Sequence, residues 1–599
     1  MEKKISEKDF DYVADYVREE FDRRKKDRKH LDYAIKEIDR QVEMRPDTSH
    51  KMLFSSTGAN TGQRDPNKSW MPEIELPLQA EALEVLTSDI RSMFFPDVGP
   101  WFTARAAMTD EYLQRADFSS MIAGDQNDVP TLINQDNADK LIYGLLEHWH
   151  RQYDFRGHVD LINAEAISYG VGVGRARTVK KSLVMDTARG LVRQDQKIPV
   201  LVPKSIKNTY LDDREHILMH EGYLVGPLQT FYRKMQLDDL KKHAQGSKDP
   251  DSEDGGWIPK FVNKLEADDK GYIELIEAEG DFLIPKKSSS GSIRIPNAIV
   301  TVATGKNDTK LVRLRFRKLP YSSTIVFPYH REKIDSPYAT SPLRKGLPLQ
   351  AAATEMWMQL IMGAQLNAQP PVGYDRNDTW FAQTGGPVIA PGALWGTIGD
   401  IKVEKIGNIS ELLQTYTHAL LQYADVVGVH RARLGAQTVS HTTAYSKNVE
   451  VQRGAARTVD YARSSLQGPM TQWLSMEYEM GLKSMKGSNL FYIEQYRGFV
   501  DVERDQLPDR AVFEAHGSGA PADEVARQNE KLKALAEAIQ MDQVAISQGH
   551  PPTLNMPAMI EERLRSGGWS DTDPFINRAN NPTGAAPPVS LQALAAIGG

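Results

Sequence analysis

Apolar residues recur with different periods in successive blocks of this chain, and each change of period marks a change of architecture. Residues 5–44 read as helical, with Phe10, Val13, Val17 and Phe21 on one stripe and Leu31, Ile35, Ile38 and Val42 on a second. Between the stripes lies the charged run "DRRKKDRKH". It reads as a solvated helix face with interleaved Asp22 and Asp27, in preference to a nucleic-acid patch. "STGANTGQRDPNKS" is a loop by its Gly, Asn and Pro content. A helix is predicted just after Pro77, stopping before Pro96, and residues 128–170 supply one or two more. The N-terminal third is therefore mainly helical.

From about Val171 the period becomes two. "VGVGRARTV", "IPVLVP", "HILMHEGYLV", "YIELIEAEGDFLI", "SIRIPNAIVTVATG", "LVRLRFRKL" and "STIVFPY" are short β-branched runs parted by turn residues. They predict an antiparallel β-rich block reaching about Tyr329. "HAQGSKDPDSEDGG" and "PKKSSSGS" read as exposed loops within it.

After this block the helical period returns. "SPLRKGLPLQAAATEMWMQLIMGAQLNAQPP" takes Pro348 as its start signal and is apolar on nearly every side through Met356, Trp357, Met358, Leu360, Ile361 and Met362. Such a helix needs burial all round, either within one chain or between copies of it. A Gly- and Pro-rich stretch of short strands and turns follows. A second helix then starts at an N-x-x-E signal formed by Asn408 and Glu411 and ends at Gly428. Its stripe is Ile409, Leu412, Leu413, Tyr416, Leu420, Leu421, Ala424 and Val427. A long helical return is expected after residue 450, and Val525, Leu532, Leu535 and Ile539 share one face of a further amphipathic helix. The last stretch, rich in Pro, Ala and Gly, reads as a flexible tail.

Composition narrows the function classes. At 599 residues the chain exceeds a single core, and roughly three or four structural units are expected. With no cysteine it holds no disulfide, thiolate nucleophile or Cys-zinc site. A net charge of −7 argues against tight electrostatic wrapping of nucleic acid; DNA touched by such a surface would be free to slide. No stretch approaches the roughly 18 apolar residues of a membrane span. Charges scattered through "MEKKISEKDFDYVADYV" make secretion unexpected.

Catalytic motifs are thin. "SYGVGVGRAR" alternates Gly170, Gly172 and Gly174 with valines, but a dinucleotide loop follows a strand and opens a helix, whereas this run follows a helix and leads into a strand. Gly170 fits a left-handed helix cap, and the later glycines allow close strand packing. His216 and His220 in "HILMHE" lack the H-E-x-x-H order, His148 and His150 stand two apart on a helix, and "AHGSGAP" at His516 is turn chemistry.

Helix, compact β insertion, helix, placed just past the middle of the chain, is the order in which a family resemblance emerges. The chain resembles the portal proteins of tailed bacteriophages, the head-to-tail connectors, particularly those of podovirus-like phages. The resemblance runs over roughly residues 70–480, through "SYGVGVGRAR", "VPKSIKNTYLDDREHILMHEGYL", "YATSPLRKGLPLQAAATEMWMQLIMGAQLNAQPPVGY", "IAPGALW" and the helix ending "DVVGV".

The resemblance implies an α+β, multi-domain subunit of wing, stem, clip and crown, with a mainly helical core and a β-rich wing subdomain. Residues 1–340 would be the wing (helical to 170, β-rich over 171–330), 341–369 the first stem helix, 370–407 the clip and 408–429 the second stem helix. Residues 430–480 would be a channel loop and return helix, 481–575 a helical crown region and 576–599 the tail. Met356, Trp357, Leu360 and Ile361 would pack in the stem against Leu412, Leu413, Tyr416 and Leu420; Trp380, Phe381 and Trp395 would meet partners at the clip; Arg431 and Arg433 would face DNA, with intersubunit salt bridges an equal reading.

The implied function is non-enzymatic, without cofactor or metal: a homo-oligomeric ring, a dodecamer, at one capsid vertex of the virion, assembled in the host cytoplasm. Double-stranded DNA would pass through it in packaging and ejection. Its partners would be terminase, a tail adaptor and a major capsid or scaffolding protein, with no membrane. Another oligomeric virion component, a capsid or tail-tube protein, is the alternative, and a cytosolic enzyme built on the glycine run the third reading.

Overall fold

The computed structural model describes residues 9–46, 72–95, 100–107, 135–187, 190–212, 218–220, 223–225, 228–246, 255–285, 292–306, 309–317, 322–332, 336–369, 372–375, 394–397, 409–429, 457–485, 489–493 and 498–516. It is a mixed helix and sheet structure, in agreement with the α+β class. The chain divides into two compact units, Met1–Phe94 with Phe102–Gly517 and Phe95–Trp101 with Ser518–Gly599, fewer than length suggested. In the second, the rings of Phe95 and Trp101 meet edge to face at 5.5 Å.

The first unit is organised around a five-stranded antiparallel sheet in the order β10-β9-β8-β7-β4. Its strands are β4 (Thr209–Tyr210), β7 (Gln229–Gln236), β8 (Tyr272–Pro285), β9 (Ser292–Thr304) and β10 (Thr309–Phe316). Alternation puts Ile276, Ala278, Val300 and Val302 on one face, where helix α1 (Phe10–Asp27) lays the stripe Val13, Ala14, Val17 and Phe21 against them. Part of the opposite face, through Leu275 and Ala303, packs on Leu240 and Ala244 of a short helix, Leu237–Gly246, and on Val262 and Leu265.

Helix α2 (Lys29–Val42) follows α1 directly, and its stripe Leu31, Ile35 and Ile38 is buried. The charged run between them is not simply a solvated face. Arg24 and Arg28 are buried at 2% and 4% exposure. Arg28 donates to the carbonyls of Ile206 (2.8 Å), Thr209 (2.6 Å) and Lys207 (2.9 Å) while its guanidinium lies 3.9 Å from the Tyr210 ring centroid. Arg24 donates to Leu228 O and pairs with the buried Asp212 at 3.3 Å. A guanidinium supplies several fixed donors at once, so two members of the run satisfy buried carbonyls that no apolar residue could satisfy.

Helix α3 (Leu78–Phe94) and the pair α4 (Gln135–Gln152) and α5 (Phe155–Tyr169) complete the helical N-terminal part. The glycine run then resolves as its order implied. Gly170 ends α5 at φ 95° with its N–H on Ala166 O. Gly172 and Gly174 sit in strand β2 (Val171–Thr187), where a Cβ would stand 2.2 Å from Ile162 O and 2.6 Å from Leu201 Cδ1, respectively. Those glycines seat α5 on a three-stranded sheet β11-β2-β3, formed with β3 (Gly190–Lys204) and β11 (Thr324–Pro328).

Residues 457–465 are helical and run through a π turn at Leu466–Met470 into a helix at Thr471–Ser484. Over the described residues between Ser484 and His516, strands stand where a helical region is expected. Asn489–Ile493 pairs with Gly498–Val502, and Ala511–Ala515 pairs antiparallel with Phe102–Ala106. Aromatic and β-branched runs such as "NLFYI" and "GFVDV" favour a pleated surface over a helix. The residues proposed for a C-terminal amphipathic helix lie outside the described residues.

Candidate functional site

Two long helices, Pro342–Ala368 and Ile409–Val427, pack as a pair. The first is 27 residues, about 40 Å at 1.5 Å per residue. Its start is not Pro348, which lies inside it. Ser341 accepts the Arg344 N–H at 2.8 Å and Pro342 occupies the first turn. A serine cap followed by proline is the stronger start signal, and Pro348 is close enough to the N-terminus for its missing N–H to cost one hydrogen bond. The second helix, Ile409–Val427, ends at Gly428 (φ 84°), as expected.

The two helices run antiparallel. Gly346 faces Tyr423 and Val427, Ala353 and Ala419 share one buried cluster, the Trp357 and Tyr416 rings meet at 5.2 Å, and Gly363 faces Ile409. Positions rise along one helix as they fall along the other. Small residues at 346, 353 and 419 let the backbones approach while the larger rings fill the gap further along.

A buried amide network roots the pair in the body. Gln79 Nε2 donates to Leu343 O and the Gln79 N–H to Gln350 Oε1, both at 2.8 Å. Gln350 Nε2 in turn donates to Glu75 Oε1 (2.8 Å) and Leu76 O (2.9 Å), and Arg40 holds Glu75 at 2.7 Å. Both Gln79 and Gln350 are fully buried. Buried amides whose donors, and for Gln350 also the acceptor, are hydrogen-bonded fix one register, because any slip leaves them unpaired.

Burial divides the expected stem residues. Leu360 is buried and Met356, Trp357, Ile361, Leu412, Tyr416 and Leu420 are half-buried, while Leu413 stands 51% exposed and Leu421 42%. The first helix is thus not buried all round within one chain. Leu413, Thr417 and Leu421, at i, i+4 and i+8, line a shallow groove with Gln414 and His418. Over residues 346–368 and 409–427 there is no Lys or Arg; the formal charges are Glu355, Glu411 and Asp425, all exposed.

Between the helices, Val372–Asp375 and Leu394–Thr397 form a parallel pair with Trp395 opposite Gly373. Short strands were expected there. Trp380, Phe381, Arg431 and Arg433 lie outside the described residues.

A second constellation escaped the sequence reading: a buried ion cluster between the two main sheets. Arg175 of β2 pairs with Glu277 and, at 2.8 Å, with Glu279, both on β8. Arg313 of β10 pairs with Glu277 (3.2 Å) and donates to Gly255 O (2.8 Å), Arg317 pairs with Glu279 (2.8 Å), and the Ser323 N–H donates to Glu279 (2.7 Å). Burial raises both carboxyls, but Arg175 and Arg313 outweigh it at Glu277, and Arg175 and Arg317 at Glu279, so each is held below its usual range. The signals were E-x-E in "IEAEGD" and R-x-R-x-R in "VRLRFRK", which alternation places on single faces.

The remaining histidine motifs are structural. His150 Nε2 sits 2.8 Å from the buried Glu477 and its ring stacks on Phe155 at 4.0 Å. His148 faces apart and is pushed down to about 4 by burial and by Arg151. His220 ends a strand and His216 lies outside the described residues. Among the described residues no group of three or more His, Cys, Asp or Glu could hold a metal, and no described helix is long and apolar enough to cross a membrane. No family model and no curated protein matches this chain.

Proposed function

We propose that this chain is a portal protein, the subunit of a ring at a capsid vertex that passes double-stranded DNA during packaging and ejection. The observation that carries the reading is the antiparallel helix pair. It is rooted by hydrogen-bonded buried amides, interrupted by a small β insertion, and leaves Leu413 and Leu421 uncovered. In a ring, those leucines would be covered by the neighbouring subunit through a head-to-tail contact that closes on itself. Absence of Lys and Arg from residues 346–368 and 409–427, beyond the Arg344 and Lys345 of the first turn, suits a conduit, since each phosphate neutralised by a cation adds binding and hence friction. On this reading the wing, stem, clip and crown follow the boundaries given above, terminase and a tail adaptor meet the β insertion, a major capsid or scaffolding protein is a further partner, and the protein has no enzymatic activity.

Rotational classification of the purified protein by negative-stain electron microscopy tests this, with and without a co-expressed scaffold. Closed rings with a central hole, a dodecamer being the expectation, support it. Monomers or dimers in both preparations would overturn it, and long tubes or shells would favour a capsid or tail component.

A further inference from the structure

The ion cluster continues outward into three further cations, Arg177, Lys204 and Arg233. Cross-strand partners share a face of their ribbon. Because Val173 pairs with Lys204, Arg175 with Val202 and Arg177 with Val200, the side chains of Lys204, Arg175 and Arg177 lie on one face of the β2–β3 ribbon. That face is the one whose Arg175 reaches Glu277 across to the five-stranded sheet and lies over the Phe231 ring at 4.8 Å. On the facing sheet, Phe231 pairs with Glu277 and Arg233 with Leu275, so Arg233 follows Phe231 on the same face, one step nearer the exposed end of β7.

Among the described residues, positive charge exceeds negative charge there. In the buried part, three guanidiniums (Arg175, Arg313 and Arg317) meet two carboxylates (Glu277 and Glu279). Arg177, Lys204 and Arg233 add further positive charge at the rim, and the side chains of Lys204 and Arg233 make no hydrogen bond or ion pair to any described residue. Burial and then the Arg177 and Arg175 guanidiniums push the Lys204 ammonium down to about 8; Arg233 acts in the same sense and Glu277 opposes them. A half-buried lysine held among arginines is a cost to the folded state that an oxyanion would relieve.

We propose that Lys204, Arg177 and Arg233 form a binding site for a phosphate-class oxyanion at the mouth between the two sheets. A phosphate carries close to two charges at neutral pH and several acceptor oxygens, which matches cations converging from two strands of one ribbon and one of the other sheet. A single carboxylate neutralises one of them. The site is independent of the ring reading and stands or falls without it.

Isothermal titration of the full chain with inorganic phosphate, pyrophosphate and acetate tests the assignment. Saturable binding of phosphate or pyrophosphate is expected, with K204M and R233Q each weakening it about tenfold or more, the worth of one charge-assisted hydrogen bond. Lys234→Gln serves as the control, because Lys234 lies beside Arg233 but pairs with Glu274 at 3.6 Å. Arg233 is exposed, so R233Q keeps the test valid if K204M fails to fold. A short DNA duplex that displaces pyrophosphate in the wild type but not in R233Q makes the ligand a nucleic-acid phosphate. Pyrophosphate binding indifferent to the duplex makes it a free phosphate or phosphate ester. No phosphate binding, binding undiminished in both variants, or acetate binding as tightly as phosphate would each overturn the site.

Discussion

Gly346 and Tyr423 approach so closely that a Cβ on Gly346 would stand 2.8 Å from Tyr423 Cε2 and equally close to Val427 Cγ2. This contact sets the spacing of the long helices near their root. Gly363, further along the same helix, would meet only Ile409 Cγ1 at 3.8 Å. Glycine inside a helix otherwise costs about 1 kcal/mol relative to alanine. Gly363→Ala should therefore stabilise the chain by about 0.5–1 kcal/mol, whereas Gly346→Ala should destabilise it by about 1–2 kcal/mol through overpacking. Denaturant melts of both variants check the sign; two stabilising results would refute the close packing at Gly346.

Leu413 and Leu421 are exposed in the single chain, so replacing both with glutamate should leave its folding stability within about 0.5 kcal/mol. The proposed ring should nevertheless come apart, because the carboxylates would be buried at each subunit contact. Native mass spectrometry beside a thermal melt separates the effects. Rings that persist in the double variant would move the interface elsewhere.

Removing one partner from a buried ion pair strands the other. Glu277→Gln leaves Arg175 and Arg313 without their shared carboxylate and should cost about 3–5 kcal/mol. A loss below about 1 kcal/mol in denaturant titration would mean that water reaches the cluster.

His148 makes stability depend on pH. Its folded pKa of about 4 lies below the ordinary 6.5, so the unfolded chain takes up a proton first. The stability it contributes is fully present above pH 6.5 and is lost as pH falls towards 4. At 1.36 kcal/mol per unit this amounts to about 3 kcal/mol. His148→Leu should flatten the decline in this window by about one proton, read from unfolding free energies at several pH values. An unchanged slope would assign the proton to another group.

Arg28 holds three carbonyls with one planar fork. Arg28→Lys keeps the charge but lacks the fork, and a loss of about 2–3 kcal/mol is expected, with faster amide exchange over residues 206–210. A neutral substitution would show that water replaces the guanidinium.

Periodicity alone determined much of this protein. The α1 and α2 stripes, the antiparallel strands from Val171 onward, the caps at Gly170 and Gly428 and the succession of helix, β insertion and helix are all local or nearly so, and each rests on side-chain spacing or on the φ that glycine tolerates. Chain order likewise favours a helix cap and close strand packing over a nucleotide loop for the glycine run.

Tertiary structure decided the rest. Whether Arg24 and Arg28 face solvent depends on carbonyls from Leu228 and Ile206–Thr209, roughly two hundred residues away. That Arg175 finds Glu277, or that Ala511–Ala515 completes a ladder with Phe102–Ala106, depends on which distant strands come together. The two leucines left outside one apolar stripe likewise became visible only when the partner helix was in place. A sequence period reports which residues share a face, while burial and pairing belong to whatever the fold sets opposite that face.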